Sequence, residues 1–140
     1  MSQKTKLAEQ FIAALPHARA LGMYTEKMEE GEVSLAMPYA DHLVGDPRTG
    51  VVHGGAVSAL MDTCCGAAVM THPKNNGGTA TIDLRIEYLR AANPGQTIVA
   101  QATCYHVTRS VAFVRATAMD ADTDNPVATA TGTFTVEDTK

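Results

Sequence analysis

Apolar and polar positions change their period three times along this chain. From Lys6 to Leu15, the residues Leu7, Phe11, Ile12, Ala14 and Leu15 recur at helical spacing, and Pro16 is expected to end that helix. Gly22–Glu29 and Glu32–Pro38 then read as two strands joined at Glu30-Gly31. The second alternates Val33, Leu35 and Met37 with Ser34, Ala36 and Pro38. Tyr39–Thr49 is a polar loop broken by Gly45, Asp46 and Pro47. From Ala56 to Met70 nearly every residue is small or apolar, on all sides, which predicts a helix buried all round. At roughly 15 residues it is shorter than the about 20 of a membrane span. His72-Pro73 stops it, because proline disfavours helix in the residue before it.

Beyond the turn at Lys74–Gly78 the period becomes two and stays so. Thr79–Arg90 places Ile82, Leu84, Ile86 and Tyr88 opposite Thr81, Asp83, Arg85 and Glu87. Gln96–Val107, Ser110–Asp120 and Val127–Val136 follow, with turns at Asn93-Pro94-Gly95 and Asp122–Pro126. These strands exceed the usual ~5–6 residues. The fold class is therefore α+β, with a long curved antiparallel sheet wrapped around one central helix. A single domain is expected over residues 1–140, with its N-terminal helix at about residues 4–15.

Composition narrows the function. The net charge is −4 without a block of like charges, which argues against a nucleic-acid surface. The N-terminal residues lead into an amphipathic stretch, so neither a secretory signal nor a membrane anchor is expected. Cys64, Cys65 and Cys104 form no disulfide framework and no metal spacing, and a reducing cytoplasm is the simplest home. No metal and no cofactor is expected.

The candidate chemistry lies on the central helix. Gly54-Gly55 opens it, where backbone N–H groups lack intrahelical partners and the dipole favours negative charge. Asp62 is its one ionisable side chain, and burying a carboxylate is costly unless it is paired or used. His53 is either a ligand-facing residue or a side chain capping the helix. Cys64 and Cys65 have no activating base nearby in sequence and read as core packing.

His53-Gly54-Gly55, with Asp62 eight residues after Gly54, is followed by Asp83-Leu-Arg-Ile-Glu-Tyr-Leu-Arg90 and by Gly95 in the next turn. With these motifs the chain resembles the hot-dog-fold acyl-CoA thioesterases of the phenylacetate-degradation (PaaI-like) type, within the 4-hydroxybenzoyl-CoA thioesterase superfamily. The resemblance runs from about Gly22 to Val136. It implies hydrolysis of an acyl-CoA thioester to a free acid and CoA. It also implies that Gly54 donates its N–H to the thioester carbonyl and that Asp62 acts as general base or nucleophile. Thr81 falls where relatives hold the attacking water. Gly55, the Arg90 region and Arg109-Ser110 fall where relatives meet the substrate and the CoA phosphates. One position departs from the pattern: Asp46-Pro47 stands where many relatives carry an Asn or Gln about fifteen residues before the acid.

Helix geometry adds an assembly. Eight residues at about 1.5 Å each separate Gly54 from Asp62 by ~12 Å along one axis, too far for both to reach one thioester. Two antiparallel helices related by a two-fold axis remove the gap, so a homodimer is expected, paired again into a homotetramer. A non-catalytic acyl-CoA-binding protein and an acyl-thioester hydratase or dehydratase are the competing readings. Asp62 opposes the first, and the lack of a paired His and acid opposes the second.

Overall fold

A computed structural model describes residues 2–137. Helix α1 (Gln3–Ala14) begins at Ser2, whose hydroxyl oxygen accepts the Thr5 N–H. Pro16 does more than stop it. It opens a second short helix, α2 (Pro16–Ala20), as its first residue, a position where the missing N–H costs nothing. Strands β1 (Tyr24–Glu29) and β2 (Glu32–Met37) form the expected hairpin. The segment read as a plain loop contains a 3-10 turn at Asp41–Leu43 and a two-stranded ribbon, β3 (Val44–Asp46) with β4 (Val51–Val52).

Helix α3 (Gly54–Thr71) is followed by β5 (Thr81–Tyr88), β6 (Ile98–Val107), β7 (Val111–Met119) and β8 (Ala128–Thr135). The six long strands make one antiparallel sheet in the order β1-β2-β6-β7-β8-β5. Its inner face is lined with small residues, among them Ala100, Ala102, Ala112, Ala116, Ala118 and Ala130. Small side chains on the sheet let α3 lie close, so Leu60, Met61, Cys64, Cys65 and Ala68 are wholly buried against it. This is the α+β hot-dog arrangement.

Two expectations need correction. The sheet covers α3 on one side and α1 packs on another, but His53, Gly54, Gly55 and Asp62 remain exposed, with Ser58, Ala59, Thr63, Gly66 and Met70 half-buried. Hydropathy alone did not separate this face because glycine and alanine on it score as core. Asp62 is therefore not a buried acid within one chain. Strand β5 is also less covered than its alternation implies: it is an edge strand, and Ile82 and Tyr88 are 54% and 51% exposed.

Candidate active site

The ribbon β3–β4 sets the start of α3. Asp46 accepts the Thr49 and Gly50 N–H groups at its carbonyl oxygen and the Arg48 N–H at its carboxylate, which closes the turn. Gly45 lies so near the following segment that an added Cβ would meet the His53 Cα at 2.7 Å. The His53 N–H donates to the Leu43 carbonyl at 2.7 Å, so the approach to the helix is fixed from two sides. Asp46-Pro47, where relatives carry an amide, is thus occupied with building this turn.

His53 is the N-cap residue of α3. Its Nδ1 accepts the Gly55 N–H at 2.8 Å, which places the ring proton of neutral His53 on Nε2. The capping alternative is the one the geometry shows. A Cβ at residue 55 would stand 2.9 Å from that Nδ1, so glycine there makes room for the cap. Once Gly55 is taken, the Gly54 N–H has no partner among the described residues. The Gly54 carbonyl accepts the Tyr88 hydroxyl at 2.9 Å, tying the end of β5 to the helix start. Tyr88 was read only as an apolar-face residue; its place inside the Asp83–Arg90 motif was the available signal. The result is one unpaired N–H at the positive end of an 18-residue helix, a suitable donor to a developing oxyanion.

Two turns further along, Asp62 meets Thr81 at the start of β5. The Thr81 hydroxyl donates to Asp62 Oδ1 at 2.7 Å, and Oδ2 has no protein partner among the described residues. That single contact joins two of the sequence candidates. With its proton spent on Asp62, the Thr81 oxygen keeps lone pairs that can accept from a water. A cavity of 180 Å³ opens beside the pair, walled by Phe11, Leu15, Gly66, Met70 and Phe134.

The two arginines part company. Arg90 donates to both carboxylate oxygens of Asp120, at 2.8 and 2.7 Å, and to the Ala91 carbonyl. It also donates twice to the Asn125 carbonyl, at 3.0 and 2.7 Å. A guanidinium has five N–H donors, and all five are committed, so Arg90 has none left for a phosphate. Its expected CoA contact is replaced by a clamp between the end of β5 and the β7–β8 turn. Asp120, buried and missed in the sequence, is held far below the usual carboxylate range by the Arg90 hydrogen bonds and by backbone N–H groups. Arg109, by contrast, is exposed and engaged in no hydrogen bond or ion pair, and it shares an open groove of 410 Å³ with Lys74, Asn76 and Thr108. Ser110 lies beside it, its carbonyl accepting the Val136 N–H at 3.1 Å.

The cysteine thiols are all free and buried. Burial pushes Cys64 up to about 12 and Cys104 to about 11, and it also raises Cys65. They remain protonated at neutral pH and are no nucleophiles. Among the described residues no cluster of His, Cys, Asp or Glu could hold a metal ion, and no helix is long and apolar enough to cross a membrane.

An antiparallel sheet around one helix, with an open N–H at the helix start and a carboxylate on its uncovered face, defines a PaaI-like hot-dog hydrolase. The chain belongs to the thioesterase superfamily, whose model matches residues 49–127, more than half of the chain, and it is accordingly a hydrolase of thioester bonds. The medium/long-chain acyl-CoA thioesterase YigI of Escherichia coli K12 is 28% identical over 122 residues, covering 78% of each chain. A crystal structure of a Pseudomonas aeruginosa protein is 37% identical, with a TM-score of 0.84 over 95% of this chain and 98% of the other. The Escherichia coli PaaI protein of the phenylacetic acid degradation operon shares the fold, with a TM-score of 0.82 at 20% identity over 97% of each chain.

Proposed function

We propose that the protein hydrolyses acyl-CoA thioesters at sites shared between two subunits, with the Gly54 N–H of one chain and Asp62 of the other. The observation that carries this reading is the placement of both groups on one unbroken helix, α3. Gly54 and Asp62 are eight residues apart, ~12 Å along the axis. An oxyanion donor must lie ~2.7–3.1 Å from the carbonyl oxygen, and the attacking atom about 3–3.5 Å from the carbon. The uncovered face of α3 and the unpaired edge of β5 supply surface for a second copy. Ile82, Tyr88 and Leu89 there are 54%, 51% and 56% exposed, a liability for a lone edge strand. An isologous pair with antiparallel α3 helices covers that surface and makes two equal sites.

In each site Asp62 takes a proton from water, and the hydroxide oxygen forms a bond to the thioester carbon. Negative charge gathers on the carbonyl oxygen against the Gly54 N–H. The intermediate collapses with cleavage of the C–S bond, and the CoA thiolate leaves and is protonated, giving a free acid and CoA. Thr81 orients Asp62 and the water. His53 acts through its cap, by freeing the Gly54 N–H. Arg109, with Ser110, meets the CoA phosphates. The outer face of β6–β8, where Arg115 lies over the exposed Tyr105 ring at 4.5 Å, is left for pairing of dimers into a tetramer. Three free thiols fit a reducing cytoplasm.

Mixing two inactive variants tests the shared site. Gly54→Pro removes the N–H at a helix position that accepts proline, and a Cβ there meets only the Tyr88 ring at 3.6 Å. Asp62→Asn removes the proton acceptor. Each variant alone should lose at least ~10²-fold in kcat. After random subunit exchange about half of the dimers are mixed, each with one intact site, so activity should return towards about a quarter of wild type. Demonstrated exchange with no recovery rejects the arrangement.

A further inference from the structure

Asp62 stands at one end of an apolar trough that runs towards the C-terminus of α3. Asp62, Gly66 and Met70 follow at four-residue intervals and form one row on that helix. Leu7, Phe11 and the C-cap residue Leu15 form a facing row on α1. Phe11, Leu15, Asp62, Gly66 and Met70 wall the 180 Å³ cavity beside the carboxylate. Phe11 and Met70 also wall a second cavity, of 580 Å³, together with Leu7 and Ala8. The two cavities share these residues and run end to end.

The same α1 buries Ala8 and Ile12 at 2% and 3% exposure while leaving Leu7 and Phe11 at 55% and 50%. Its exposed apolar side chains are thus the ones along the trough. Gly66 adds an independent observation. Glycine inside a helix is destabilising relative to alanine, and nothing in the chain demands it here. A Cβ at residue 66 would come no nearer than 3.8 Å to Phe134 and 3.9 Å to Thr79, ordinary contact distances. What the missing side chain leaves is width in the trough, one helical turn from Asp62.

We propose that this trough holds the acyl chain, that the preferred substrate is the CoA thioester of an unbranched aliphatic acid of medium length, and that Gly66, Phe11 and Leu7 set the length accepted. The proposal rests on the acyl-CoA thioesterase reading. Asp62 to Met70 spans ~12 Å at about 1.5 Å per residue. An extended chain with C–C bonds of about 1.5 Å advances ~1.3 Å per carbon, so about nine carbons fill that length. A decanoyl chain matches it; a benzoyl ring leaves most of the trough empty.

The test measures kcat/KM for acetyl-, hexanoyl-, decanoyl-, myristoyl-, benzoyl- and phenylacetyl-CoA with wild type, Gly66→Leu and Phe11→Ala. Calorimetric binding of the unhydrolysable thioethers S-ethyl-CoA and S-decyl-CoA runs beside it. Full burial of a methylene is worth up to about fourfold, and a trough open on one side about twofold. Hexanoyl to decanoyl should therefore gain on the order of tenfold, with a plateau by myristoyl. In Gly66→Leu the decanoyl-to-acetyl ratio should collapse by at least tenfold without a lower melting temperature, since leucine favours helix. In Phe11→Ala the ratio should fall severalfold. The proposal is overturned if benzoyl- or phenylacetyl-CoA outperforms decanoyl-CoA, or if the chain-length series is flat. It is also overturned if Gly66→Leu lowers every substrate equally while the dimer dissociates on size exclusion, for then the glycine serves helix packing. Should no thioester be hydrolysed at all, the thioesterase reading fails by itself. Tighter binding of S-decyl-CoA than of S-ethyl-CoA then still upholds the trough, and equal binding removes it.

Discussion

Removing the carboxylate of Asp120 separates a structural role for Arg90 from a phosphate-binding one. Asp120 is 5% exposed, and its two oxygens accept from Arg90 twice, from the Asn93 N–H at 3.0 Å and from the Asp122 N–H at 3.0 Å. Breaking a buried ion pair from one side costs about 3–5 kcal/mol. Here the Arg90 side chain, 26% exposed, can turn to water, which favours the lower end, ~3 kcal/mol for Asp120→Ala. At about 2.1 cal/mol/K per residue the unfolding entropy is ~0.3 kcal/mol/K for a chain this long, so Tm should drop by roughly 10 °C. The pH dependence has a definite sign. Asp120 has a folded pKa below its unfolded value of about 3.9, so its stabilisation is present in full above that pH. It fades as pH falls towards the folded value, and the gap in Tm between wild type and variant should narrow below about pH 4. Melts followed by circular dichroism at neutral and acid pH give both quantities. KM for an acyl-CoA and for the matching acyl-pantetheine, taken well below the melt, completes the assay. A neutral-pH Tm within about 2 °C of wild type refutes the clamp. A KM raised only for the nucleotide-bearing substrate in Arg90→Lys returns Arg90 to the phosphate.

Two further substitutions address the site directly. Arg109→Ala should raise KM for CoA thioesters severalfold with little change in kcat, because an exposed guanidinium binds phosphate through charge; the same rise with an acyl-pantetheine, which lacks the nucleotide, would contradict it. Thr81→Val keeps the shape but removes the donor at 2.7 Å from Asp62. A hydrogen bond to a charged group is worth about 1.5–3 kcal/mol, less when exposed, so kcat should fall on the order of tenfold; an unchanged kcat, measured by thiol release, would make that hydroxyl structural.

The helix, the long strands and the pairing of Asp62 with an N-terminal glycine were legible because each rests on local order. Period two over eight or more residues specifies a strand, and a Gly-Gly before an apolar run specifies a helix start. Arg90 and Arg109 show where such reasoning stops. Both lie beside turns, and nothing within ten residues of either predicts that one is locked and the other free. The difference is made by Asp120, thirty residues from Arg90 in sequence, which strand pairing brings to 2.7 Å. The small ribbon before α3 escaped for a related reason. Two paired strands of three and two residues carry too little period to register, and the ribbon is recognisable only through the contact of Gly45 with His53.

The exposed face of α3 is the more instructive case, because the sequence was consistent and the single chain is not. Gly55, Ser58, Ala59 and Gly66 are what a helix uses where something must come close, and hydropathy cannot say whether that neighbour is the chain's own sheet, a second copy or a ligand. The sheet claims the face that carries Leu60, Met61, Cys64 and Cys65. What remains divides along the helix axis. Towards the N-terminus, the open Gly54 N–H and the uncovered edge of β5 call for a second copy to complete the chemistry. Towards the C-terminus, α1 already stands opposite Gly66 and Met70, so the space there is bounded within one chain. Asp62 lies at the junction of the two, which is where a thioester must sit if its carbonyl is to reach the other subunit while its acyl chain stays in this one.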